Sequence, residues 1–176
     1  MNDLGRRFAE GEDDAYTSVV QRYSRRVYAL CYRILRDEEE AKDMVQEVFV
    51  RVYSKRTSFK CKSSLYTWVY RIAVNMCFSH LKKRNAKTVP LEDVEPMLAA
   101  KGHEDPGRED ELRALVSGAL ESLPPKQRAV FAMRFYDRMT FKDIAEAMGT
   151  SVGAAKANHH FAVEKLREKL GGADDL

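Results

Sequence analysis

Apolar residues recur along most of this chain at steps of three and four, the spacing that lines one face of an α-helix. The first run is Tyr16, Val19, Val20, Tyr23, Val27, Leu30, Cys31 and Ile34. A second follows with Ala41, Val45, Val48, Phe49 and Val52, and a third with Leu65, Trp68, Val69, Ile72, Ala73, Met76 and Leu81. Three amphipathic helices of this length bury one another's apolar faces as a small bundle. Further on, Leu112, Leu115, Val116, Ala119 and Leu120 predict a helix that stops near Leu123. Pro124-Pro125 then suits a helix restart, because proline is tolerated in the first turn. Little in the chain suggests strands, so the fold class expected is all-α.

The same reading places a helix-turn-helix near the end of the chain. Thr140, with Asp143 three residues on, gives an N-cap pattern close to a capping box. Phe141, Ile144, Ala145 and Met148 form one face of a short helix. Gly149 ends it by accepting a left-handed backbone, and Ser151 caps the helix that follows. An ordinary helical hairpin carries some of the same signals. Between the two helical parts, Pro90, Pro96, Gly102, Pro106 and Gly107 stand in an acidic background that reads as a flexible linker. The expected organisation is an N-terminal helical domain over 1–85, a linker over 86–111 and a helix-turn-helix domain over 112–176.

Charge sharpens this picture. The 176 residues carry a net charge of only +3, but its distribution is uneven. Residues 1–85 hold 17 basic and 11 acidic side chains, residues 86–111 hold 3 and 8, and residues 112–176 hold 10 and 8. Between Glu47 and Glu92 lie 44 residues with ten Lys or Arg and no Asp or Glu. A solvated helical face mixes both signs, so a one-signed field of this size points to a polyanion, nucleic acid first. No 18 apolar residues run together and the N-terminus lacks a signal-peptide core, so a cytoplasmic location is expected.

Enzyme chemistry is poorly represented. There is no P-loop and no HExxH, and Ser79-His80 has no glycine-rich elbow before it. His159 and His160 are adjacent and point to different helix faces. Cys31, Cys61 and Cys77 lack CxxC spacing and make an odd count, which argues against a disulfide framework. No catalytic residue, metal site or cofactor is expected.

Binding chemistry is better represented. Phe59, Tyr66, Trp68, Tyr70 and Phe78 alternate with Lys60, Lys62, Arg71, Lys82, Lys83 and Arg84, a mixture suited to unstacked single-stranded bases. Trp68 lies on the apolar stripe and reads as core. Tyr66 and Tyr70 fall off that stripe, four residues apart on a shared face, and are the better candidates for bases. Asn75 is also off the stripe. "SFKCKSS" is a short basic loop able to accommodate a flipped base. Before it, Glu39, Glu40, Asp43 and Glu47 cluster on one side of a helix with Gln46 nearby. Acids beside so basic a neighbour repel DNA, so they suit a basic protein partner better, or else a solvated face.

In this order, "EEEAKDMVQEVFVRVY", "SFKCKSSLYTWVYRIAVNMCFSHLKKR" and "ESLPPKQRAVFAMRFYDRMTFKDIAEAMGTSVGAAKANHHFAVEKLREKL" resemble bacterial RNA polymerase sigma factors of the extracytoplasmic-function type. The resemblance implies that Asp43, Gln46, Glu47 and Arg51 contact the clamp coiled coil of core RNA polymerase. It makes Phe59, Lys60, Cys61, Lys62, Ser63 and Ser64 the loop that captures a flipped −10 base, with Tyr66, Tyr70 and Asn75 close by. Lys82, Lys83 and Arg84 meet phosphates at the duplex edge. Many relatives carry Gly where Cys61 stands. The acidic linker would thread the nucleic-acid channel of the polymerase. Further implied partners are the polymerase flap, promoter DNA (duplex at −35, single-stranded at −10) and an anti-sigma factor; no stable homo-oligomer is expected.

The −35 reader implied by the resemblance is sparsely charged. Relatives often carry arginines where this chain has Asn158, Phe161 and Val163. By helical position His159 continues the inner line of Ala155, Ala162 and Leu166. Arg134, Ser151, Lys156, Ala157, Asn158, His160 and Phe161 are then the −35 candidates. Asn pairs with adenine, and Ala or Phe meets a thymine methyl, so the preference is expected to shift toward A·T. Arg128, Arg134, Arg138, Lys142, Lys165 and Arg167 are expected to hold phosphates. Two other readings stand beside this one: a helix-turn-helix regulator that never joins polymerase, and a helical adaptor that binds only proteins.

Overall fold

The structure, a computed structural model, describes residues 3–87 and 118–170, and every regular element among them is helical. The N-terminal unit consists of α1 (Asp3–Ala9), α2 (Asp13–Leu35), α3 (Glu38–Ser54) and α4 (Leu65–Lys87), with a 3₁₀ turn at Arg56–Ser58. The C-terminal unit consists of α5 (Pro125–Phe135), α6 (Phe141–Met148) and α7 (Val152–Lys169), preceded by helical residues 118–121. Apart from Ala86 and Lys87, which continue α4, the expected linker lies outside the described residues.

Local chemistry accounts for the corners. Arg36, in the left-handed region at φ 60°, closes α2 and donates its N–H to the Tyr32 carbonyl. Asp37 then caps α3 by accepting the Glu40 N–H at 2.8 Å, and three glutamates occupy the positive end of the helix dipole. Ser64 caps α4 in the same way, accepting from Thr67 N–H at 3.0 Å. Val27, Leu30 and Ile34 of α2, Val48 and Val52 of α3, and Val69, Ala73 and Cys77 of α4 meet in one buried core. Burial of each large apolar side chain stabilises the bundle by roughly 1.5–3 kcal/mol. The free thiols of Cys31 and Cys77 meet in this core, and that contact, with burial, pushes the Cys77 thiol far up. Both are packing groups, inert as nucleophiles.

The helix-turn-helix forms as its caps dictate. Thr140 accepts the Asp143 N–H at 3.1 Å, Gly149 adopts φ 62° at the end of α6, and Ser151 accepts the Ala154 N–H at 3.1 Å. Ala145 and Ala155 are small enough to let α6 and α7 cross closely, and both are buried.

Two features differ from the sequence expectation. The first is α1, which no periodicity marked: its one large buried residue is Phe8. The second is the relation of the two units. They are not separate bodies; α5 packs on α2 and α6 packs on α4. Ala129, Val130, Met133, Met139 and Ile144 join the same core as α2 and α4, while Leu120, Leu123, Phe131, Ala162 and Leu166 form a smaller core within the C-terminal unit. Arg128 marks the seam. Expected on phosphates, it is instead buried, donating to the carbonyls of Leu123 at 2.9 Å and Ile34 at 3.4 Å. Burial, helped by nearby Arg36, pulls its pKa down to about 10. Arg36 pairs with Glu121 across the seam, and the Arg33 guanidinium lies 3.8 Å from the Tyr136 ring centre.

Candidate nucleic-acid and protein interfaces

The outer face of α3 stands open. Met44, Val48 and Val52 turn inward, which leaves Asp43, Gln46, Glu47 and Arg51 exposed together. Sequence reading missed Val50, which lies on the same face and is 70% exposed. A one-sided count of acids overlooks such a residue, but its position, seven after Asp43, was readable. The other acids are occupied: Glu38 and Glu39 hold Lys42 at 2.9 and 2.8 Å. Glu40 ties α3 to α4 through Arg84 at 2.9 Å, and the His80 ring nitrogen Nε2 lies 3.2 Å from its other carboxylate oxygen. Arg84, expected at phosphates, therefore also braces the acidic helix.

On α4, Arg71, Asn75, Ser79, Lys82 and Lys83 are exposed. They fall at helical spacing and extend the basic surface of Lys60 and Lys62 in the preceding loop. Within that loop exposure alternates. Phe59 is buried and Cys61 half-buried, whereas Lys60, Lys62 and Ser64 are open. Phe59 is thus not available to a base as expected; its ring packs against Phe8 and Trp68. Trp68 is half-buried in that cluster, as the apolar stripe indicated. Cys61 has φ 52°, the left-handed region that favours glycine.

Tyr66 and Tyr70 do share a face, with ring centres 4.2 Å apart, but that face is not open. Tyr70 is fully buried. The cause is long-range: the turn between α5 and α6 closes over the pair and brings Asp137 beside both hydroxyls. Burial pushes the Tyr66 hydroxyl up to about 12 and the Tyr70 hydroxyl further. Burial also raises the Asp137 carboxyl, opposed by its contacts with Tyr70 and Arg33. Neither tyrosine hydroxyl nor the Asp137 Oδ2 atom makes a well-formed hydrogen bond. Nearby, the Thr67 hydroxyl, itself buried, reaches Asp143 of α6 at 3.4 Å.

Along α7, Lys156, Ala157, His160 and Phe161 are exposed, opposite buried Ala155, Ala162 and Leu166. Phe161 is 51% exposed. Asn158 is half-buried and donates back to the Ala154 carbonyl at 2.9 Å, so its amide is partly occupied. His159 packs on Phe131 and edge-on to Phe141; burial, with Arg134 and His160, lowers its pKa and favours the neutral ring. Ser151 is used as a cap. Arg134 donates to the Met139 carbonyl at 2.9 Å and lies over the Phe141 ring, so it shapes the α5–α6 turn.

Among the described residues no helix is long and apolar enough to cross a membrane, and no cluster of three potential metal ligands occurs. Comparison with known proteins bears on both units. Sigma-70 region 2 matches residues 19–87 and sigma-70 region 4 matches residues 113–166. The chain is 31% identical over 171 residues to the ECF RNA polymerase sigma factor SigW of Bacillus subtilis, covering 92% of this chain and 91% of that one. It is 30% identical over 179 residues to the ECF RNA polymerase sigma-E factor of Escherichia coli K12, covering 95% and 92%. In fold it is similar to CnrH in complex with the cytosolic domain of CnrY, at a TM-score of 0.72 and 21% identity over 97% of both chains. RpoE of Bartonella quintana, in complex with the anti-sigma factor NepR, gives 0.70 and 23% over 90% of this chain and 98% of that one. An acidic helix beside an acid-free basic one, followed by a helix-turn-helix, is thus the arrangement of a known class: the chain belongs to the extracytoplasmic-function sigma factors, non-catalytic proteins that act with RNA polymerase in promoter recognition.

Proposed function

We propose that this cytoplasmic sigma factor divides its work among three surfaces. The outer face of α3, with Asp43, Gln46, Glu47, Val50 and Arg51, grips a basic helical element of the polymerase clamp. The 59–64 loop and the open stripe of α4 hold the unpaired −10 strand, Lys60 and Lys62 beside the base, Asn75 at a base edge and Lys82 and Lys83 on phosphates. The exposed residues of α7 enter the −35 major groove. Captured bases cannot re-stack, and each stacking contact is worth roughly 1–3 kcal/mol, which holds the strand open. Polymerase supplies the bond chemistry.

One observation carries this reading: an exposed acidic and apolar face on α3 and an exposed basic stripe on α4 belong to one packed unit, joined by Glu40, Arg84 and His80. A plain duplex-binding regulator has no use for the first. Tyr66 and Tyr70 reach bases only when the C-terminal unit leaves α4. Such a release returns Tyr66, Tyr70 and Asp137 to water. An anti-sigma protein that holds the two units together is a further expected partner, in keeping with the complexes in which similar folds occur.

The test is transcription from a promoter with both elements, using core polymerase alone and with the chain added. Initiation that depends on the chain and on both elements is expected; duplex binding without initiation would sink the reading.

A further inference from the structure

The basic loop proposed above to take the flipped −10 base rests on a helix with no assigned role. Phe8 of α1 is fully buried, and its ring lies edge-on to Phe59 with centres 6.2 Å apart and to Trp68 with centres 5.9 Å apart. Phe59 and Trp68 close the triangle at 5.3 Å. One turn earlier on α1, Gly5 is buried, and a methyl group there would stand 3.4 Å from the Phe59 ring. The Gly5 carbonyl lies 3.9 Å from the Cys61 sulfur, the residue held at φ 52°. Phe59 and Cys61 are thus the inward members of the loop, and both meet α1. Lys60 and Lys62, the outward members, flank Cys61 and take their direction from that anchorage and from the turn its left-handed backbone makes.

We propose that Phe8 and Gly5 are positioning residues for −10 recognition: α1, through Phe59 and Cys61, fixes the loop backbone that aims Lys60 and Lys62 at the captured base. This rests on the base-capturing role proposed for the loop. A residue that only stabilises the bundle would change the amount of active protein, not its choice of base. A residue that aims the loop changes the choice.

The experiment uses the full chain with core polymerase and four promoters that differ only in the flipped −10 base, and it reads the ratio of open-complex formation on the best and worst of them. Trp68 is the one tryptophan in the chain, so its emission reports independently whether the ring triangle has opened. Phe8→Ala is expected to shift that emission to the red and to lower the ratio by about tenfold, within the worth of one good base contact. Phe8→Leu, which refills the space, is expected to restore the ratio. Gly5→Val, which presses on Phe59 without emptying the core, is expected to act like Phe8→Ala and serves where the alanine variant does not fold. An unchanged ratio in a variant whose Trp68 emission has shifted overturns the inference. A wild-type ratio that survives Lys60→Ala with Lys62→Ala defeats instead the base-capturing role of the loop, and the inference with it.

Discussion

The two faces proposed to bind polymerase and the −10 strand, the outer side of α3 and the basic side of α4, are built from neighbouring helices but differ in access. The α3 face carries Asp43, Glu47 and a 70% exposed Val50, with none of the described residues over them. The α4 face divides: Arg71, Asn75, Lys82 and Lys83 are open, while Thr67 and Tyr70 lie beneath α6 and the turn before it. On the proposed assignment of these faces, the protein in this arrangement can meet polymerase before it can read bases. An exposed apolar residue among acids suits a partner that arrives from outside.

The largest expected effect breaks the open side. Asp43→Lys with Glu47→Lys sets like charges against a basic partner, which costs several kcal/mol. Binding to core polymerase, measured by gel filtration or fluorescence anisotropy, should fall by about a hundredfold or more, with helical content unchanged because both residues are exposed. Next is the covered side. Arg128→Ala removes a cation that bonds carbonyls on both sides of the seam, a loss of about 1.5–3 kcal/mol. Small-angle scattering should show an expanded chain, and a single-stranded −10 oligonucleotide should bind more tightly. An unchanged profile would mean that the seam does not depend on it.

A third prediction concerns the weakly charged reader. Phe161→Ala should cost about 1–2 kcal/mol on a −35 element rich in thymine and little on one rich in guanine. Equal losses on both would remove Phe161 from base recognition.

Acidity should act on the seam with a definite sign. The Asp137 carboxyl titrates above its ordinary 3.8 when closed, so the closed form holds the proton more tightly than the open form. Closure is favoured at pH below the ordinary carboxyl range and loses that advantage as pH rises through the raised value. Asp137→Asn should flatten this dependence in scattering profiles across acidic pH; a dependence that persists would place its source elsewhere. The smallest effect is local: Cys61→Gly removes a left-handed non-glycine residue and should raise the thermal midpoint through a gain of about 1 kcal/mol.

Much of this was legible in the sequence because local signals and tertiary need agree. The stripes through Val27 and Ile34, Val48 and Val52, and Val69 and Ala73 became the N-terminal core. Thr140, Gly149 and Ser151 cap the helix-turn-helix where spacing put them. What stayed hidden is what only a distant partner decides. Arg128 and Tyr70 look like surface residues until the C-terminal unit docks, since nothing near them in sequence covers them. Phe8 has only Leu4 and Ala9 for apolar neighbours in a polar stretch, too short a run to mark a period, yet two aromatic rings from residues far along the chain enclose it. The loop divided differently from its composition: its aromatic residue faces inward and its lysines outward.

The contrast between the open and covered faces has one direct test. Thr67→Cys and Asp143→Cys, at positions whose side chains now meet at 3.4 Å, can be joined by a short cleavable thiol crosslinker, with Cys61→Ser removing the half-buried thiol while keeping a donor toward the Gly5 carbonyl. The joined protein is expected still to bind core polymerase through α3 but to open no promoter, and cleaving the link is expected to restore opening. A joined protein that opens the promoter as well as the cleaved one would contradict this.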